Sequence, residues 1–340
     1  MVPHNLPTLG LAEKDAVLRV LGSGWVAQGP EVEAFENELC DFFGLPNGHA
    51  VAVSSGSAAL YLALWVLDGK YKKIGLPAYA CAALRNAVGM VGGQCVYLDC
   101  KKGTPNVDVE AAARAEVDIL IAPSMYGIPV DLPENRNFKL VEDLAQAIGA
   151  TVNGQRIGLR GEVGICSFYA TKLMTTGGQG GAVISRDKAL IDQVRDYREF
   201  DSRDDTKLRF NFQMTDMQAA IGRVQLDRLP EFLMQREKWF LMYLDAGLSL
   251  LDSSQLDNVK PVRFRIVMQC KEPPKVIDLL ASAGIRAIVP IEERELLDES
   301  RLYPCALDLT STTVSLPAYP SLHANDVVEI ARYVKEISCC

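Results

Sequence analysis

Four short stretches carry residue types that could do chemistry. Lys172 leaves an apolar run and enters the glycine-rich segment Ser167-Phe168-Tyr169-Ala170-Thr171-Lys172-Leu173-Met174-Thr175-Thr176-Gly177-Gly178-Gln179-Gly180-Gly181. A lysine at the edge of a dry site has its pKa lowered and can form a Schiff base with a carbonyl. Read alone, a lysine snorkelling from a strand end is the simpler explanation. Glu142-Asp143 ends the apolar run Lys139–Val141. An acid at the carboxyl end of a strand faces the ligand crevice of an open α/β sheet; the competing reading is a cap for a helix starting at Leu144. Ser54-Ser55-Gly56-Ser57 joins an apolar strand to an apolar helix. Free amides at a helix start, with small hydroxyl side chains, make a phosphate cradle, and a plain capped turn is the alternative. Asn211-Phe212-Gln213-Met214 precedes Thr215-Asp216-Met217-Gln218, which fits a capping box.

The elements that must position these residues alternate. Strand-like runs fall at Ala50–Val53, Lys73–Leu76, Gln94–Leu98, Asp118–Ala122 and Phe138–Val141, with helical runs such as Cys81–Met90 between most of them. Strands separated by helices predict crossover units and a mostly parallel sheet. Gly164–Phe168 and Ala182–Ser185 read as two further strands around the glycine-rich turn, and Arg186–Phe200 as a helix. Val32, Phe35, Leu39 and Phe42 share one face of a helix that starts at Gly29-Pro30. The chain changes character after about Leu229. Strand-like Pro261–Met268, helical Lys275–Ala283, strand-like Thr313–Leu316 and helical Asn325–Ile337 suggest a smaller α+β domain. The expected division is a large domain over 1–230 and a small one over 231–340.

Composition limits the partners. The 340 residues hold 35 Lys plus Arg against 43 Asp plus Glu, a formal charge of −8. Nucleic acid is therefore not the expected main partner. An apolar fraction of 49% with 23% charged residues is that of a soluble globular chain. Ala50 to Leu67 carries no charge, but the Ser/Gly cluster inside it favours strand–turn–helix over a membrane span. Nine scattered cysteines, none in C-x-x-C spacing, read as reduced thiols in a cytoplasmic protein. With three histidines a zinc site is not expected. The first residues show no basic segment followed by an apolar core, so no secretory leader is expected.

Singly, each stretch has a bland reading; their order does not. Phosphate turn, acid at a strand end, Ser five residues before a Lys, and Asn ahead of a helix together resemble the fold-type-I pyridoxal-phosphate (PLP) enzymes. More narrowly, the chain resembles the DegT/StrS-type sugar aminotransferases. The resemblance includes Ser23-Gly24-Trp25-Val26-Ala27-Gln28-Gly29-Pro30 with Phe35-Glu36, Ser55-Gly56-Ser57-Ala58-Ala59-Leu60, Pro77-Ala78-Tyr79 and Tyr126-Gly127-Ile128-Pro129. It continues through Glu142 to Ala150, Ser167 to Gly181, Asn211 to Leu229 and Ser315-Leu316-Pro317.

The resemblance implies a fold-type-I transferase: a large domain with a mostly parallel central sheet flanked by helices, plus a smaller α+β C-terminal domain. It implies PLP as cofactor, with Lys172 as the Schiff-base lysine and as acid and base in the proton shift. Asp143 falls where an acid pairs with the pyridine nitrogen, keeping the ring an electron sink. Gln146 falls beside the ring's phenolic oxygen. Gly56, Ser57 and Ser167 fall on the phosphate cup. Asn211 falls where a residue reaches the neighbouring subunit's phosphate, which implies a homodimer with a shared site. The implied reaction is ping-pong, from an amino donor (usually glutamate) to a keto-sugar, usually nucleotide-linked. Arg203, Arg209 and Arg85 are candidate contacts for an anionic substrate.

Four departures stand out. Cys81 occupies a position often held by an aromatic stacked on the ring. Gln213 replaces a frequent Arg, and Gln179 sits in a turn that commonly carries a Glu. The segment after Pro290 is shorter than usual. A dehydratase of the same scaffold typically has His in place of the lysine, and Lys172 opposes that reading. A non-catalytic binding protein would need none of Lys172, Asp143 and Ser167. An oxidoreductase is opposed by the absence of G-x-G-x-x-G after the first strand.

Overall fold

The computed structural model describes residues 1–251 and 258–338; Cys339 and Cys340 lie outside the described residues. Its strands are β1 (Ala50–Val53), β2 (Lys73–Pro77), β3 (Gln94–Leu98), β4 (Ile119–Pro123), β5 (Lys139–Asp143), β6 (Thr151–Val152), β7 (Gln155–Arg156), β8 (Val163–Ser167), β9 (Gly181–Ile184), β10 (Val259–Lys260), β11 (Ile266–Gln269) and β12 (Thr313–Leu316). Its α-helices are α1 (Leu11–Ser23), α2 (Pro30–Phe43), α3 (Gly56–Val66), α4 (Ala83–Val91), α5 (Val109–Arg114), α6 (Lys188–Arg198), α7 (Asp216–Asp245), α8 (Pro273–Ser282), α9 (Pro304–Thr312) and α10 (Ala324–Ser338).

Seven strands form the central sheet in the order β1-β9-β8-β5-β4-β2-β3. Six run one way, and β9 runs against both of its neighbours. The period-2 alternation of β1 divides its residues between two layers. Val51 and Val53 pack with α3, α4 and α6, while Ala50 and Ala52 pack with α2 and α7. Helices therefore cover both faces, which is why the strands read as continuous apolar runs. The uncharged stretch from Ala50 resolves into β1, a turn and α3. Among the described residues no helix is long and apolar enough to cross a membrane.

Polar contacts lock the helices to this sheet. Glu36 of α2 is buried, accepts the Ala52 amide at 2.9 Å, and pairs with Arg195 at 2.5 Å and with Arg198, both on α6. Asp216 accepts the amides of Glu31 and Val32, so the first residue of α7 caps the start of α2. The Thr215–Gln218 capping box is formed as expected.

The 30-residue α7 passes position 230 without a break, with Pro230 inside it. Its first half packs under the large sheet through Ala219, Leu226 and Leu229. Its second half contributes Trp239, Phe240 and Tyr243 to a separate apolar cluster with β11, β12, α8 and α10. The change of character near Leu229 thus marks a change of packing partner within one helix. The strand expected over Pro261–Met268 is shorter, because the chain bends before it. The Val262 amide bonds to Gly127 and the Phe264 amide turns back to Val262, leaving the ladder to start at Ile266.

Candidate active site

Lys172 lies in the loop between β8 and β9. The loop is closed by Phe168 N–H to Gly180 O at 2.8 Å, Ala170 N–H to Gly178 O at 3.0 Å and Lys172 N–H to Tyr169 O at 2.9 Å. Gly177 (φ 85°) and Gly178 (φ 152°) make the reversal that a side chain would resist. The reversal also explains the antiparallel pairing of β8 with β9. Asp143 ends β5, beside β8 in the sheet, so the loop overhangs it.

Asp143 is buried and accepts the Ala145 amide at 2.8 Å. No helix follows it; the residues after Asp143 form turns. Burial pushes its carboxyl above the usual range, opposed by that amide and by the Lys172 charge. Burial likewise lowers the Lys172 ammonium, while Asp143 and Cys81 pull it up and Arg265 pushes it further down. The Lys172 Nζ lies 5.3 Å from the centre of the Phe264 ring. Asp143 and Lys172 thus sense one another without a direct ion pair. Cys81, just before α4, is exposed.

The Ser54–Ser57 turn is assembled by close backbone approach. Ser55 caps α3 by accepting the Ala58 amide at 3.1 Å. A Cβ on Gly56 would lie 2.7 Å from the Cβ of Ser167, and one on Gly181 would lie 2.4 Å from the Ser55 carbonyl oxygen. The two glycines let β8, β9 and the start of α3 meet, with the helix's first amides and Ser167 at one place. Ser57 is exposed in the first turn. The Ser54 amide bonds to Phe212 O at 2.8 Å, which brings the exposed Asn211 close to the same turn; the Asn211 Oδ1 accepts from the Gln213 amide.

Gln146 accepts the Tyr126 amide at 2.8 Å. Tyr126 has a left-handed φ of 60°, which is strained for a bulky residue. Its buried hydroxyl bonds to that of Tyr79. The anion-binding candidates divide. Arg203 pairs with Asp196, and Arg209 with Asp196 at 3.0 Å and Asp205 at 2.6 Å, so both are tied to nearby acids, one near the end of α6 and one in their own loop. Arg85 is exposed on α4.

Arg265, His4 and the Tyr79–Tyr126 pair have no assigned role in the sequence reading. The available signal is a charge within the otherwise apolar Phe264–Met268 run. Nothing in the sequence brings His4, 261 positions away, to within 3.5 Å of it.

A phosphate fits where Gly56 and Gly181 leave room for no side chain and α3 offers unbonded amides. A protonated ring nitrogen fits a buried carboxylate, and a carbonyl fits a lysine whose pKa burial lowers. Those three requirements met on this sheet define a PLP-dependent transferase. The model of the DegT/DnrJ/EryC1/StrS aminotransferase family matches residues 7–335, and the chain belongs to that family. It is 31% identical to the dTDP-3-amino-3,4,6-trideoxy-alpha-D-glucose transaminase of Streptomyces venezuelae, over 96% of this chain and 92% of that one. It is 26% identical to the GDP-perosamine synthase of Escherichia coli O157:H7, over 98% of each. The crystal structure of the aminotransferase TlmJ from Streptoalloteichus hindustanus superposes with a TM-score of 0.92 at 26% identity, covering 99% of this chain and 98% of that one. The protein is a sugar aminotransferase with PLP as its cofactor.

Proposed function

We propose that the enzyme moves an amino group from glutamate to a nucleotide-linked keto-sugar, in two half-reactions at one site. The observation that carries this reading is Lys172 set near Asp143 with the glycine-built turn of α3 close by. The named activities of the Streptomyces and Escherichia relatives support the nucleotide-linked sugar. The residues act as follows. The amides of Gly56 and Ser57, with Ser167, bind the phosphate. Asp143 holds a proton on the ring nitrogen, Gln146 lies beside the ring oxygen, and Cys81 borders the ring where an aromatic would stack. When bound, PLP supplies an electron sink for the carbon that loses its proton. The Lys172 Nζ takes the donor's α-proton and returns one on the other side of the exchange, a task suited to an amine whose pKa burial has lowered. Asn211 completes the phosphate site of a second subunit in a homodimer. Residues 1–230 form the cofactor domain and 231–340 the smaller domain beside it.

The test is Lys172→Ala. The native protein loaded with PLP is expected to be yellow and to lose that colour with glutamate, forming 2-oxoglutarate. The variant should bind PLP without the lysine-bound absorbance, and turnover should fall by at least ~10³-fold for loss of an acid–base and covalent residue. A native protein that stays colourless with added PLP overturns the reading. A panel of nucleotide-linked keto-sugars then identifies the acceptor.

A further inference from the structure

We propose that Arg265 is the cation that receives a carboxylate of the amino donor; this deepens the aminotransferase reading and rests on it. Arg265 sits at the bend just before β11, next to Phe264, whose ring lies under the Lys172 amine. Its arginine neighbours are held by other groups, although the buried Nε of Arg236 has no hydrogen-bond partner among the described residues. Arg263 pairs with Glu237 at 2.8 Å, and Arg236 is bonded to the carbonyls of Arg263, Phe264 and Ala318. Among the described residues no carboxylate forms an ion pair with Arg265. Glu295 is the acid whose charge reaches it, but that side chain is exposed and accepts the Glu292 amide at 2.9 Å.

The guanidinium is oriented by a neutral group. Its Nη1 lies 3.5 Å from the Nε2 of His4, which is also 2.9 Å from the Ser315 hydroxyl. Nε2 thus has the Ser315 hydroxyl at hydrogen-bond distance and the guanidinium at the outer limit of one. Burial, then the charges of Arg265, Arg286 and Arg236, push His4 down to about 3, so it remains uncharged beside its neighbour. A cation without a counter-ion, in a setting that desolvates it, awaits an anion.

Size and position select the anion. The cavity bordered by His4, Asn5, Thr171, Arg265 and Ser315 is about 180 Å³. That is below the ~300–1,000 Å³ of pockets for drug-sized ligands, so it suits the end of an amino acid rather than a nucleoside diphosphate. Arg265 acts electrostatically on Lys172 and on the hydroxyls of Tyr79 and Tyr126. A donor whose nitrogen must reach Lys172 brings its carboxylate to this neighbourhood.

The experiment uses the PLP-loaded enzyme with Arg265→Gln and Arg265→Lys. Glutamate affinity, read from the concentration dependence of colour loss in a single half-reaction, should fall by roughly 10- to 150-fold in Arg265→Gln, the factor for one charge-assisted hydrogen bond. Arg265→Lys should lose less. Succinate, which has carboxylates and no amine, should lose calorimetric affinity in parallel, while UDP and dTDP bind as to the native enzyme. Glutamate affinity within twofold of native in a folded, yellow variant overturns the proposal, as does a loss confined to UDP or dTDP. If Arg265→Gln does not fold, the same criteria apply to Arg265→Lys. A native enzyme that accepts amino groups from no amino acid overturns the aminotransferase reading itself, before any substitution is made.

Discussion

Glu142 and Asp143 are consecutive in β5, and a strand sends consecutive side chains to opposite faces. Glu142 turns to Arg160, which it holds at 2.7 Å while accepting the Arg160 and Gly161 amides. Asp143 turns to the lysine. The residue pair that looked like one acidic feature is a structural brace, Glu142, beside the carboxylate proposed to serve the site. Lys172 carries the corresponding pH prediction. Its pKa is lowered chiefly by burial and raised by Asp143, and only the neutral amine attacks a carbonyl. The rate of PLP uptake by the apo protein should therefore rise with pH and level off below 10.5, the ordinary lysine value. Asp143→Asn removes the opposing charge, so the midpoint should move lower still. A stopped-flow absorbance series at several pH values decides it: a midpoint at or above 10.5, or an upward move in the variant, contradicts this account.

At the scale of elements, the site exists because β9 presses against the start of α3. Gly181→Ala would drive a Cβ into the Ser55 carbonyl, a backbone atom that cannot swing away. The expected cost is about 1–3 kcal/mol, as for overpacking, with weaker PLP binding. Gly22→Ala, which meets nothing within 4 Å, is the matched control and should keep native PLP affinity. Thermal midpoints and PLP titrations of both variants check this; a native-like Gly181→Ala contradicts it. This element pattern was readable in advance. The apolar runs at Ala50–Val53, Gln94–Leu98 and Thr313–Leu316 match observed strands in both bounds, because short apolar runs between turn signals leave few alternatives. The proximity of Lys172 to Asp143 was implied by the family resemblance, and the structure supplies its cause, the pairing of β5 with β8. What escaped was long-range. Glu36 looks like a surface residue of an amphipathic helix until α6, some 160 positions on, brings two arginines to it. Arg265 reads as one polar residue in a strand until the bend at Phe264 shows that its segment has left the ladder.

Across the whole molecule, α7 belongs to two apolar clusters at once. Leu226 and Leu229 pack under the large sheet, and Trp239 and Tyr243 pack in the C-terminal cluster. Arg236, fully buried between them in sequence, bonds three carbonyls of the C-terminal side. Helix propagation is cooperative, so neither half of α7 melts without exposing the partners of the other. Two tryptophans report on the two sides: Trp65 packs against the largest cluster of the sheet, and Trp239 lies within the C-terminal one. Variants that keep only one of them should show coincident urea midpoints, whereas well-separated midpoints would mean that the helix transmits nothing. Pro230 gives this coupling its weak point. It removes one helical hydrogen bond near the middle of the shared helix. Under mechanical or thermal load the first opening should centre there, so cleavage during limited proteolysis should cluster around position 230 and yield two fragments that stay associated until denaturant parts them.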